Sequence, residues 1–436
     1  MKIFNKNWPI ISIIGSGLLI IFFFTEHKIY SDALQRFAAI KLLMEYGKIS
    51  NTNYSIIGPL FSVPFWLIGE YIKTPEWWLA RYNFFLFMGF LLGVWFICKN
   101  SIDRKTLLYA LLVFVSLSLF VPYQKNYMGE TFTAVFCGLG ILLRSQKKQI
   151  GWLPLIIGTA NTPATLVGFS LITFYIIWRE KRWRYFIYPL LSFILIIMES
   201  FIRRGGFFVT GYEGNSGFQT ILPFSGQAGF SYPLLLGILS ILFSFGVGLF
   251  FFIPGLWLLY DYKKLKENKP LFEIIILSLL FLTGEVIVCS KWWAWYGGFY
   301  WGPRFFLIAT IPSSFLIAYS IRNAKFETFW KNALSFLIIA LSAWIVINGT
   351  IFDQRNLSIC YENNYQLEFL CWYVPEYSVL IRPLIVWSPL MFKDVVFMSY
   401  IFFTFFILIT PITKAMLPKM FSTIKLYFPE IKKIRW

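Results

Sequence analysis

Ten apolar windows punctuate this chain, near residues 8–25, 77–98, 106–122, 131–144, 184–202, 233–260, 271–289, 304–321, 332–351 and 394–413. Each approaches the roughly 17–25 residues that a helix needs to cross about 30 Å of hydrocarbon. An eleventh stretch, 150–178, is apolar but interrupted at its middle by Asn161 and Pro163, and both of its flanks are basic. Equal basic flanks require an even number of crossings, so a hairpin of two short helices is expected with its turn near Asn161–Thr165. About twelve spans result. Charged residues make up only 14% of the 436, against 58% hydrophobic, which is too few to solvate a soluble fold of this size. The first window is too long for the core of a signal peptide, and the bulky FFFTEHK behind it offers no small-residue cleavage site.

Charge gives the expected orientation. With the N-terminus in the cytoplasm, the inner segments are KIFNK, KNSIDRK, RSQKK, REKRWR, DYKKLKENK, RNAKFETFWK and the tail from Lys414. These carry 25 of the 39 Lys and Arg residues and a minority of the 21 acids. That bias is the one cytoplasmic loops show, so the net charge of +18 points to topology rather than to nucleic acid. Residues 1–414 read as one transmembrane domain and 415–436 as a basic cytoplasmic tail. The outer face then receives loops 26–76, 203–232, 290–304 and 352–393, together with the turn PYQKNYMGE. The cytoplasmic loops are short and featureless, so chemistry is expected outside, where a donor must arrive through the lipid or already be present.

Within loop 26–76, Asp32 sits just beyond the first span. A partly desolvated carboxylate there is expected to have a raised pKa, toward the range useful for a base. Arg36 follows one helical turn later, so both can face one cavity; the plain alternative is an i,i+4 surface ion pair. FAAIKLLMEY places Phe37, Ile40, Leu43 and Met44 on one face, which predicts one or two short helices lying on the outer surface. Lys125-Asn-Tyr127-Met-Gly-Glu130 forms a second candidate, because a Glu at the mouth of a membrane helix needs a partner or a polar cavity. The third runs from Lys291 to Arg304 through Trp295 and Tyr296. Interfacial aromatic belts account for much of its composition, but Gly297-Gly298 and Gly302-Pro303 impose a fixed turn between cationic ends. Cys98, Cys137 and Cys289 read as packing residues. Cys360 and Cys371 share an outer loop and could pair. No Cys or His cluster has metal-site spacing, and His27 is the single histidine.

Four stretches resemble the membrane glycosyltransferases of the GT-C class, a superfamily that includes protein O-mannosyltransferases and bacterial aminoarabinose transferases. They are YSDALQRFAAIKLLMEYGKIS, IIGPLFSVPFWLIG, VPYQKNYMGETF, and TGYEGNSGF with FSFGVGLFFFIPG and WYGGFYWGPRFF. The likeness covers about residues 1–310. Many members carry an Asp-Glu pair in the first loop; here the sequence is Ser31-Asp32-Ala33, so only Asp32 matches. The resemblance implies an all-α integral membrane bundle whose first outer loop bears surface helices. It implies transfer of a sugar from a polyprenyl-phosphate donor to an acceptor hydroxyl at the outer face, with inversion and with Asp32 as base. Arg36, Lys125, Arg304 and Lys291 would hold the donor phosphate, and Glu130, Tyr127, Trp295 and Tyr296 would contact substrate.

No cofactor is expected: some members use a divalent metal, but this chain lacks a dense acidic cluster. The implied partners are the lipid-linked donor, a glycan, lipid or protein acceptor, and membrane lipids, in a bacterial inner membrane with both termini cytoplasmic. The rival readings are a transporter or flippase of lipid-linked sugars and a glycan polymerase or ligase. Carriers often show two related halves, and no second copy of loop 26–76 is detectable.

Overall fold

The computed structural model describes residues 8–427 apart from 299, 353–357, 361 and 387. The first inner segment, KIFNK, and the last residues of the tail therefore lie outside the described residues. Regular structure among the described residues is helical throughout, and the one β-type contact is an isolated bridge between Ser216 and Ala228. This is an all-α membrane protein.

Six helices are long and apolar enough to cross a bilayer: Pro75–Cys98, Trp183–Arg204, Lys269–Cys289, Arg304–Phe326, Phe329–Phe352 and Phe392–Pro418. The expected count of about twelve is corrected to six such helices among the described residues. An apolar window records composition, whereas a span also needs an unbroken helix. The window 106–122 ends its helix at Ser116, where Ser116 and Ser118 turn their hydroxyls back onto the carbonyls of Leu112 and Phe114. The window 233–260 divides into helices Leu234–Phe243 and Leu249–Phe252 and a 3₁₀ stretch from Pro254. Trp8–Phe24 is apolar but has only 17 residues. The last helix continues from Phe392 to Tyr427, through Pro411 and Pro418, so the segment beginning at 415 starts as part of that helix.

The interrupted segment folds as expected. Helices Trp152–Asn161 and Leu166–Glu180 meet at Asn161–Thr165. Their far ends return together, since Arg144 pairs with Glu180 at 3.2 Å and Gln149 donates to the Tyr185 hydroxyl at 3.0 Å. Other ion pairs gather the basic connections at one end of the bundle. Arg322 meets Asp103 at 3.1 Å, Lys331 meets Asp261 at 2.7 Å, and Lys264 meets Glu327. The five connections 99–105, 144–148, 179–184, 261–269 and 322–331 thus share one end.

Residues 26–76 form three helices rather than one or two, Asp32–Tyr46, Ile57–Leu60 and Val63–Tyr71, before the span that begins at Pro75. The first stops at Gly47, whose φ of 64° lets its N–H close onto the Leu43 carbonyl and that of Lys48 onto the Leu42 carbonyl. Its inner face is Ala33, Arg36, Ala39 and Ile40, with Phe37, Leu43 and Met44 half-buried beside them. The apolar stripe thus carries one guanidinium inward. Cys98, Cys137 and Cys289 are buried, and Cys360 is joined to Cys371 in a disulfide.

Candidate functional site

Asp32 is the first residue of its helix, where the N-terminal dipole favours a carboxylate. Ser31 before it adopts the left-handed region (φ 56°), a turn that aims the new helix inward. The Asp32 carboxylate meets Arg304 NH2 at 2.7 Å, and the Nε of the same guanidinium lies 3.5 Å from Glu130. Its NH1 points at Met128 Sδ, 3.8 Å away. Arg304 is 8% exposed, so two acids neutralise one buried cation in a poorly solvated place. The glycine turn makes this possible. Gly297 and Gly298 have φ of 83° and 72°, and a Cβ at Gly297 would lie 3.1 Å from Arg304 Cγ. Backbone therefore wraps the arginine stem at a distance that a side chain would crowd.

Asp32 and Arg36 do not form a surface ion pair, because Asp32 is committed to Arg304 and Arg36 is 7% exposed. The Arg36 guanidinium sits 4.7 Å from the centre of the Tyr54 ring, and the missing side chain of Gly129 leaves room for it. A Cβ there would fall 2.5 Å from Arg36 Cζ. The Nε and NH1 of Arg36 are buried and donate to no acceptor among the described residues. Burial alone would raise the Asp32 pKa, but the Arg304 charge, the Tyr54 hydroxyl and Arg36 outweigh it and hold the carboxyl below its usual range. The expectation of a raised pKa is corrected: Asp32 stays ionised because it faces cations, not apolar surface.

Two supports fix this cluster. Arg203 binds the carbonyls of Ser50, Thr52 and Tyr54 at 2.8, 3.0 and 2.7 Å and pairs with Glu199 at 2.6 Å. Glu199 in turn accepts from Ser55 Oγ and Ile56 N, so the turn carrying Tyr54 is pinned to the helix Ile187–Arg204. At the hairpin tip, Asn161 donates to Gly129 O at 3.1 Å and accepts from Gly58 N at 3.0 Å. The glycine beside Arg36 is thereby held.

Of the residues singled out in the sequence, the structure brings together Asp32, Arg36, Glu130 and Arg304. Tyr127 is buried one layer away, its hydroxyl 2.7 Å from Ser62 Oγ. Lys125 donates to the Thr350 carbonyl at 2.8 Å, and Lys291 is half-buried, its carbonyl bonded to Tyr232 N at 3.0 Å. Trp295 and Tyr296 line a separate pocket. Asp32 and Arg304 touch, and the unpaired buried polar atoms of this cluster are Nε and NH1 of Arg36, Nε of Arg304 and Oε2 of Glu130. Tyr54, Tyr212, Arg203 and Asn161 were not among the candidates. Tyr212 lay within the glycine-rich TGYEGNSGF, and its ring meets Tyr54 at 6.4 Å and Trp292 at 5.5 Å. Among the described residues no three His, Cys, Asp or Glu side chains are grouped to hold a metal. No family model, curated protein or solved structure matches the chain.

Proposed function

We propose that this protein is a membrane glycosyltransferase that moves a sugar from a polyprenyl-phosphate donor to an acceptor hydroxyl at one face of the bilayer. The observation that carries the reading is the Arg36 guanidinium, buried beside an ionised carboxylate with two nitrogens unpaired. A guanidinium left so is a ready partner for phosphate oxygens, and an unpaired buried donor is costly in any other role. In the proposed step the acceptor oxygen bonds to the anomeric carbon as the bond from that carbon to the phosphate oxygen breaks. The lipid phosphate leaves with the electron pair, its growing charge met by Arg36. The acceptor proton passes to Asp32. A carboxylate of low pKa is a weak base toward a free alcohol, so it takes the proton late, once the oxygen has bonded to carbon and become acidic. Arg304 and Tyr54 are positioning residues that keep Asp32 charged and aimed.

The test uses purified protein in lipid nanodiscs with a polyprenyl-phosphate sugar and a mixture of glycan and lipid acceptors. Asp32→Asn should lower transfer by about 10²–10⁴-fold. Arg36→Met should weaken retention of polyprenyl phosphate measured by native mass spectrometry. Transfer by Asp32→Asn within a few-fold of wild type would overturn the reading, as would movement of the intact lipid-linked sugar across the bilayer without transfer.

A further inference from the structure

A second site stands apart from Asp32 and Arg304 and owes nothing to glycosyl transfer. Three outer loops meet around a half-open pocket: residues 217–226, the aromatic run 293–296 and the short helix Glu368–Tyr373. Its walls are aromatic. Tyr296 and Trp372 stack at 4.6 Å, and Trp295 packs on Tyr373 at 6.0 Å. Glu368 is the one charged residue in the lining, and it is 7% exposed. The Tyr296 hydroxyl donates to its Oε2 at 3.0 Å. Among the described residues no Lys or Arg lines the pocket and no ion pair engages Glu368. The interior admits about two water-sized groups, too little for a sugar ring. The scaffold is fixed: the disulfide ties Cys371 to Cys360, and Phe245 N donates to Trp372 O at 2.9 Å.

We propose that this pocket binds the ammonium group of an organic amine, with Glu368 as counter-charge inside the aromatic lining. A lone carboxylate among aromatic rings is expensive to ionise but well matched to a small cation. The apolar lining keeps the contact poorly solvated and the acid supplies the charge. The amine can belong to a soluble metabolite or to the headgroup of an ethanolamine phospholipid in the surrounding membrane, and the chemistry is the same for both. Burial pushes the Glu368 carboxyl up to about 7, with the Tyr296 hydroxyl opposing. The groups facing it from the packed elements are the phenols of Tyr296, Tyr232 and Tyr373, and burial raises the pKa of Tyr296 and Tyr373. A cation that needs the ionised acid should therefore bind about tenfold more tightly at pH 8 than at pH 6.

Calorimetric titration of the full chain in maltoside micelles with ethanolamine and with N-acetylethanolamine tests this. The amine should bind, the uncharged amide should bind at least about tenfold more weakly, and the amine's affinity should rise from pH 6 to pH 8. Glu368→Gln, similar in size and able to keep the Tyr296 contact, should abolish the difference between the two ligands. Repeating the titration in nanodiscs separates the sources. Loss of ethanolamine binding in phosphatidylethanolamine but not in phosphatidylglycerol assigns the lipid headgroup, and equal binding in both assigns a soluble amine. Equal affinity for amine and amide, affinity independent of pH, or no binding by the wild type would overturn the proposal. Any of these leaves Glu368 a neutral structural acid.

Discussion

The shared pairing of Arg304 predicts a distinctive energetic signature for its two acids. At an effective dielectric of about 20, contacts at 2.7 and 3.5 Å correspond to gross attractions of about 6 and about 5 kcal/mol, largely offset by desolvation of a guanidinium this buried. Removing either acid leaves the other in place and relieves the repulsion between them. Asp32→Asn and Glu130→Gln should therefore each cost only about 1–2 kcal/mol. The double variant strands an uncompensated buried cation, and its loss should reach about 4–5 kcal/mol. The cycle should thus show a coupling of about 1–2 kcal/mol in the direction of worse-than-additive. Reversible unfolding in mixed maltoside–SDS micelles, followed by helical circular dichroism, measures all four proteins on one scale. Additivity within about 0.5 kcal/mol would refute the reasoning, as would one single variant as damaging as the double.

Gly129→Ala places a methyl group 2.5 Å from Arg36 Cζ. It should cost about 1–3 kcal/mol by overpacking and weaken polyprenyl-phosphate retention in native mass spectrometry. The raised pKa of Glu368 means that the folded state holds this proton more tightly than the unfolded chain. The resulting stability is full below about pH 4.5 and is lost as pH rises through about 7. Relative to Glu368→Gln, the wild type should lose about 3 kcal/mol over that window in a pH series of unfolding curves. Reducing Cys360–Cys371, which closes a sequence separation of 11 residues, should cost about 3 kcal/mol. It should also weaken ethanolamine binding in the same calorimetric assay.

Local features were legible where one segment carried its own instruction. The Asn161–Pro163 interruption between equal basic flanks marked the hairpin, and the apolar stripe from Phe37 to Met44 marked the helix behind Asp32. The glycines before Arg304 marked the turn that now encloses its side chain. Span number was not legible, because hydropathy cannot see the Ser116–Ser118 break or the divided helices after Leu234. Direct contact between Asp32 and Arg304 was also out of reach, being a pairing across 272 positions of sequence. The protonation of Asp32 went astray for that reason: its burial was foreseeable, its cation was not. Glu368 lay in a stretch with no motif, and only the fold supplies its ring of aromatic neighbours.

The Arg304 cluster also bears on how the chain is made. Residues 32, 130 and 304 emerge from the ribosome in that order. Asp32 and Glu130 are therefore made well before the arginine that later bridges them. Through that interval the early helices are safest with their acidic ends in water or against the insertion machinery, and tight packing of the bundle must wait for the glycine turn at 297–302. A nascent chain stalled short of residue 304 would carry Asp32 and Glu130 without the cation that bridges them.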